Sequence, residues 1–225
     1  MIRYVVFDFD DTLYDTNLYF ISAFEAISSY LADKFKIDKG MIRSRLLKTL
    51  KEKGPSYTKL FDDTLRHFNI HSGSTVKKLV EIFYAAPTSS IKLYNDAKIF
   101  IDMLKSKGCV LILMTDGSFV KQGRRIGALR LDQTMDYILY CNDLGYKKPS
   151  YRLYEHLLKF LKCLPQDILV VGDRPTDYIG AKGFGIASAR ILRGEYKKIK
   201  LGKYEADFTV DSLVDLFSIK ELRFG

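Results

Sequence analysis

The apolar positions of this chain change period twice. Val5, Val6 and Phe7 form a short unbroken run of β-branched and aromatic residues, the signature of a strand covered on both faces. From about residue 15 to 88 the spacing is helical. Leu18, Ile21, Phe24, Ile27 and Leu31 recur at intervals of three and four, and Ile42, Leu46, Leu47 and Leu50 repeat the pattern up to Gly54-Pro55. "SYTKLFDDTLRHF" and "STVKKLVEIFYAA" carry it on to Pro87, so this block predicts four helices and no strand. Beyond it, short apolar runs alternate with amphipathic stretches. "CVLILMT", "DYILYC", "DILVVGD", "SARILR" and "ADFTV" read as strands, while "DAKIFIDMLKSKG", "SFVKQGRRIGALR", "SYRLYEHLLKFLK" and "TDYIGAKGFG" read as helices. Such alternation implies βαβ units, hence an α/β fold with a doubly wound, mostly parallel sheet. The helical block interrupts that pattern after its first strand. Residues 1–14 and 89–225 are therefore expected to form an α/β core domain, and 15–88 an inserted helical domain.

Composition changes this picture little. The 225 residues are 47% hydrophobic and 28% charged, enough apolar material for a substantial core. No apolar run reaches the roughly eighteen residues that a membrane-spanning helix needs, so no membrane partner is expected. "MIRYVVFDFD" reads as a first strand and not as a secretory signal. Cys109, Cys141 and Cys163 are odd in number, far apart and set in apolar surroundings. They read as buried free thiols in a reducing compartment, which predicts a cytoplasmic protein. Lysine and arginine outnumber aspartate and glutamate by 36 to 27, a net charge of +9. The basic residues are scattered over helices and loops without a compact stripe, which reads as a solvated surface and not as a nucleic-acid footprint. Nothing in the pattern specifies an oligomeric state.

The charges that matter sit at strand ends. Asp8, Asp10 and Asp11 directly follow the first apolar run. A buried carboxylate is costly unless a cation or hydrogen bonds compensate it. In an extended chain Asp8 and Asp10 project to the same side, at the carboxyl edge where open α/β sheets bind their ligands. Three further stretches end in polar residues: Thr115-Asp116-Gly117-Ser118, Lys147-Lys148 before Pro149, and Gly172-Asp173 with Asp177 four residues on. Singly, each is an ordinary turn, loop or helix cap. Together they offer carboxylates from two strands, a hydroxyl from a third and a lysine from a loop. Oxygen donors of this kind suit a hard divalent cation such as Mg2+, and a nucleophile, a cation, a positive group and an acid are the parts of a phosphoryl-transfer site.

These stretches resemble the four motifs of the haloacid dehalogenase (HAD) superfamily. "DFDDT" is similar to its Asp-x-Asp-x-Thr motif, Thr115 after "LILM" to the second, Lys148 in "GYKKPSYRLY" to the third, and "VVGDRPTD" to the fourth, Gly-Asp-x-x-x-Asp. The resemblance spans roughly residues 2 to 192, outside the helical insert. It implies a Rossmann-like HAD core with a helical cap between the first and second motifs. The implied activity is a Mg2+-dependent phosphatase for small phosphate monoesters, similar to phosphoglycolate phosphatase-like or nucleotidase-like members. By the same resemblance Asp8 is the nucleophile that forms an aspartyl-phosphate, and Asp10 the general acid and base. Mg2+ is held by Asp8, the backbone carbonyl of Asp10, and Asp173. Thr115, Asp116 and Lys148 form the phosphate-binding group, although Asp116 stands where asparagine is common. Asp177 orients Lys148 or a metal-bound water, and Thr12 supports the first loop.

Other polar residues receive plainer readings. His67 and His71 are four apart, but "NIHSG" breaks the helix between them; His156 is a surface or packing residue; Arg124 and Arg125 lie on a solvated helix face. Among alternative activities, a dehalogenase has no use for an acid two residues past the nucleophile, so Asp10 argues against it. A phosphonate hydrolase needs a Schiff-base lysine in the cap. A sugar-phosphate mutase uses the same core residues. A module of another class, binding nucleic acid without catalysis, would show steeply salt-dependent binding and no ester hydrolysis.

Overall fold

The computed structural model describes residues 1–225 and contains six strands: β1 (Tyr4–Phe7), β2 (Val110–Thr115), β3 (Tyr137–Tyr140), β4 (Ile168–Gly172), β5 (Ala187–Ile191) and β6 (Phe208–Val210). Each apolar run read as a strand is one. They pair in the order β3-β2-β1-β4-β5-β6, and every pairing is parallel, which sharpens the expected "mostly parallel" sheet to a wholly parallel one. β1 is central. Its Phe7 lies beside Leu113 of β2 and Val171 of β4, so Asp8, Thr115 and Asp173 all emerge at the same carboxyl edge.

Helices cover both faces, as the doubly wound reading requires. Val6, Ile112, Met114 and Val170 pack against Leu153, Tyr154 and Leu157 of α8 (Tyr151–Leu161) and against Tyr178 and Ala181 of α9 (Pro175–Lys182). On the opposite face, Phe100 of α5 (Asn95–Ser106) meets Phe7 edge-on at 5.9 Å between ring centroids, and Phe217 of the 3-10 segment Leu213–Ser218 at 5.2 Å. After β2 come α6 (Phe119–Ala128) and a four-residue α7 (Leu131–Thr134), which is too short to show a period in the sequence.

The chain divides into two compact units, residues 1–16 with 91–225, and residues 17–90. The second is helical. It holds nearly all of α1 (Thr16–Phe35), together with α2 (Lys39–Lys53), α3 (Leu60–His67) and α4 (Gly73–Ala85). Its own core is built from Phe24, Ile27, Leu31, Ile42, Leu46, Leu65 and Leu79. His67 ends α3 and His71 lies in the connection to α4, both exposed, so their spacing is not that of two residues on one helix face. All three cysteines are free. No helix is long and apolar enough to cross a membrane.

Phe100 is fully buried and joins Phe7, Phe217 and Phe224 into one aromatic group. Phe100→Ala is expected to lower stability by about 3–5 kcal/mol, read from urea denaturation followed by circular dichroism.

Candidate active site

Lys148 is the hub of the site. Its buried ammonium donates to Asp8 Oδ1 at 2.5 Å and to Asp177 Oδ1 at 2.7 Å. The loop that delivers it is held by Asp116, whose Oδ1 accepts the backbone N–H of Lys148 at 2.7 Å. Asp8 is placed by the sheet, its N–H donating to the Val171 carbonyl at 2.8 Å, and its Oδ2 accepts the Thr12 hydroxyl at 3.2 Å. Asp177 lies in the first turn of α9, where its Oδ2 accepts the N–H of Arg174 at 2.9 Å and so caps the helix. Gly172 makes this approach possible, since a Cβ there would stand 2.4 Å from the Cβ and Oδ2 of Asp177.

Asp8, Asp173 and Asp177 present carboxylate oxygens within 4.8 Å of one another. Asp173 is fully buried, and neither of its oxygens has a hydrogen-bond partner; Arg174 Nε stands 3.7 Å from Oδ2. Burial, then Asp177 and Asp8, push the Asp173 carboxyl up to about 9. Burial and Asp177 push Asp8 up to about 7, with Lys148 pulling the other way. Burial pulls the Lys148 pKa down, but Asp177 and Asp8 hold it well above the ordinary lysine value. An oxygen-only donor set with two unpartnered oxygens at its centre fits a hard divalent cation.

The carboxylate of Asp10 stands apart from this cluster. The strand ends at Phe7, and Asp11 adopts a left-handed backbone with φ of 59°, exchanging hydrogen bonds with Thr16. Asp8 and Asp10 therefore serve different partners, where an extended chain would have aimed them together. Asp10 Oδ1 accepts the Tyr14 hydroxyl at 2.6 Å and Arg125 NH1 at 2.6 Å, and Oδ2 accepts Gln122 Nε2 at 3.2 Å. Burial acts to raise the Asp10 carboxyl, but Arg125, Tyr14 and Gln122 together hold it below the usual carboxylate range. Thr115 joins this group, its Oγ1 accepting Gln122 Nε2 at 3.1 Å.

Arg125 corrects the reading of a solvated helix face. Arg124 is exposed, but Arg125 is buried and its guanidinium lies 5.4 Å from the Phe9 ring centroid and 5.9 Å from that of Tyr14. Gln122, Tyr14 and Arg174 were likewise missed. A signal existed for two of them: Gln122 and Arg125 share a helical period with Ile126 and Leu129, all buried. His156 packs beside the Tyr146 ring, as a packing residue should.

The elevated carboxyls make the metal-free protein sensitive to pH. A proton that folded Asp173 holds up to about 9 leaves the unfolded chain near 3.8. The folded state thus binds more protons across that window, and the associated stability is complete below it and lost as pH rises through it. Each such proton contributes a slope of up to about 1.4 kcal/mol per pH unit. Metal-free protein is expected to melt at a lower temperature at pH 9 than at pH 6, and Asp173→Asn to flatten that decline. Differential scanning calorimetry with a chelator present checks this.

Residues 5–191 match the family described as haloacid dehalogenase-like hydrolase. The chain is 28% identical over 222 residues to the glyceraldehyde 3-phosphate phosphatase of Methanocaldococcus jannaschii, with 97% of each chain covered. It is 26% identical over 225 residues to the pyrophosphatase PpaX of Bacillus cereus, covering 97% of this chain and 96% of that one. In fold it is similar to a HAD phosphatase from Thermococcus onnurineus, with a TM-score of 0.66 at 20% identity, over 96% of this chain and 97% of that one. The family match runs through all four strand-end motifs and the carboxylate cluster they build, and the chain belongs to the haloacid dehalogenase-like hydrolases.

Proposed function

We propose that this hydrolase is a Mg2+-dependent phosphatase that cleaves small phosphate monoesters through a phosphorylated Asp8. The observation that carries the reading is the charge imbalance at Lys148: one ammonium is shared by Asp8 and Asp177, while both oxygens of Asp173 are buried beside them without a hydrogen bond. When bound by Asp8, Asp173 and the backbone carbonyl of Asp10, Mg2+ supplies the missing positive charge and neutralises the phosphoryl oxygens.

The chain's own residues divide the remaining work. Asp8, its side chain 11% exposed, attacks phosphorus and expels the ester oxygen; water then hydrolyses the aspartyl-phosphate. Thr115 and Lys148 hold the transferring group. Asp10 gives a proton to the departing oxygen and then takes one from the attacking water. Its depressed pKa keeps it ionised, the form the second step needs, and a phosphoryl anion entering beside it raises its proton affinity for the first. The helical unit, residues 17–90, serves as the cap that selects substrate and excludes water. Three free cysteines suit a reducing cytoplasm. The names of the relatives make triose phosphates and inorganic pyrophosphate the first compounds to assay.

The test is a Mg2+-dependent release of inorganic phosphate from a panel of phosphate esters. A rearranged ester with no phosphate released would mark a mutase instead. Asp8→Asn is expected to abolish turnover while the fold and the metal-free melting temperature hold, because an amide keeps the shape and relieves carboxylate repulsion. Substantial activity in that variant, verified by mass as undeamidated, contradicts the assignment. Asp173→Ala is expected to raise the Mg2+ needed for half-maximal rate by more than about tenfold, the loss that even an outer-shell change can bring.

A further inference from the structure

Gln122 touches both halves of the site, and its orientation can be assigned. Arg125 NH2 donates to the side-chain oxygen of Gln122, and a guanidinium can only donate. The amide nitrogen therefore faces the other way, toward Asp10 Oδ2 at 3.2 Å and Thr115 Oγ1 at 3.1 Å, one N–H for each. The chain makes room for this arrangement: at Gly117 a Cβ would lie 2.2 Å from Gln122 Cγ. Gln122 and Arg125 are three apart on α6, on the same face.

Two consequences follow for atoms that react. The Thr115 oxygen already accepts from Gln122, so its own hydroxyl proton is left to donate to an anion. Asp10 Oδ1 accepts two bonds of 2.6 Å, from Tyr14 and Arg125, and the Tyr14 hydroxyl, which itself accepts from Arg125, spends its proton on that oxygen. Oδ2 accepts the longer bond from Gln122, and the Asp10 side chain keeps 28% of its exposure. We infer that Gln122, held by Arg125, is a positioning residue that couples the proton-transfer carboxylate to the phosphate-binding hydroxyl, leaving Asp10 Oδ2 to exchange the proton and the Thr115 hydroxyl to donate to the phosphoryl group. The inference rests on the phosphatase reading above.

The experiment compares Gln122→Met, Arg125→Met and Arg125→Lys with wild type on an aryl and an alkyl phosphate, with inorganic phosphate as inhibitor and circular dichroism as the check on folding. An aryl leaving group needs little protonation, so mispositioning Asp10 should harm it less. Gln122→Met is expected to cut kcat on the alkyl ester by about ten- to a hundredfold, part of the hundred- to ten-thousand-fold range of general acid–base catalysis. The aryl ester should lose several times less, and inhibition by inorganic phosphate should weaken because Thr115 loses its orientation. Arg125→Lys keeps a donor and should recover part of what Arg125→Met loses on the alkyl ester; if Arg125→Met unfolds, Gln122→Met beside Arg125→Lys carries the comparison. A merely structural role lowers both esters equally and leaves phosphate inhibition unchanged, and either result in a folded Gln122→Met overturns the inference alone. Wild-type protein that hydrolyses neither ester overturns the phosphatase reading, and this inference with it.

Discussion

One buried ammonium organises this molecule. Taking a charge out of water costs several kcal/mol even after relaxation, and Asp8 and Asp177 share the task of offsetting that cost for Lys148. That demand reaches through the fold. The central position of β1 brings Asp8 level with the ends of β2 and β4. Asp116, at the end of β2, grips the backbone of Lys148. The start of α9 brings Asp177, whose backbone carbonyl accepts the hydroxyl of Tyr154 from α8. Strand and helix ends from separate parts of the chain thus converge on one cation.

The same edge holds a second arrangement of opposite character. Around Lys148 the carboxylates outnumber the cations, and Asp8 and Asp173 are driven toward protonation. Around Arg125 a single carboxylate is surrounded by donors and driven toward ionisation. Asp8 and Asp10 are two residues apart, yet their surroundings push them in opposite directions. The division depends on α6, since it supplies Gln122 and Arg125.

The strands were legible because a parallel sheet buried on both faces demands continuous apolar runs, and "VLILM" and "ILVV" can hardly be anything else. Asp8, Thr115, Asp173 and Asp177 were legible because each ends or follows such a run or opens the helix after it, whereas Lys148 sits in a loop and was legible only through the motif around it. Arg125 and Gln122 were not. Their period with Ile126 and Leu129 put them on the inward face, but a polar residue there is tenable only with a partner, and the partner, Asp10, lies 115 residues away from Arg125 in the loop after β1. Local pattern records burial; it does not record who compensates it. Asp116 shows the same limit, since nothing local to it records that its carboxylate holds the backbone that carries Lys148.

The loop after β1 has to be stiff for the proposed chemistry to work, because a nucleophile displaced by even about an ångström would lose most of its advantage. Burial of its apolar side chains, Phe9 and Leu13, does not by itself fix a backbone path. Hydrogen bonds do. Leu13 N–H bonds back to the Phe9 carbonyl at 3.1 Å, Asp11 and Thr16 bond each other reciprocally, and Tyr94 N–H reaches the Leu13 carbonyl at 2.9 Å. From beyond β5, Arg193 donates to the Thr12 carbonyl at 2.6 Å while pairing with Asp96 and lying 4.0 Å from the Tyr94 ring centroid. Elements far apart in sequence, at residues 94–96 and 193, therefore hold the loop that carries Asp8 and Asp10. The long return of the chain after the fourth motif is part of the reason the first motif can keep its geometry.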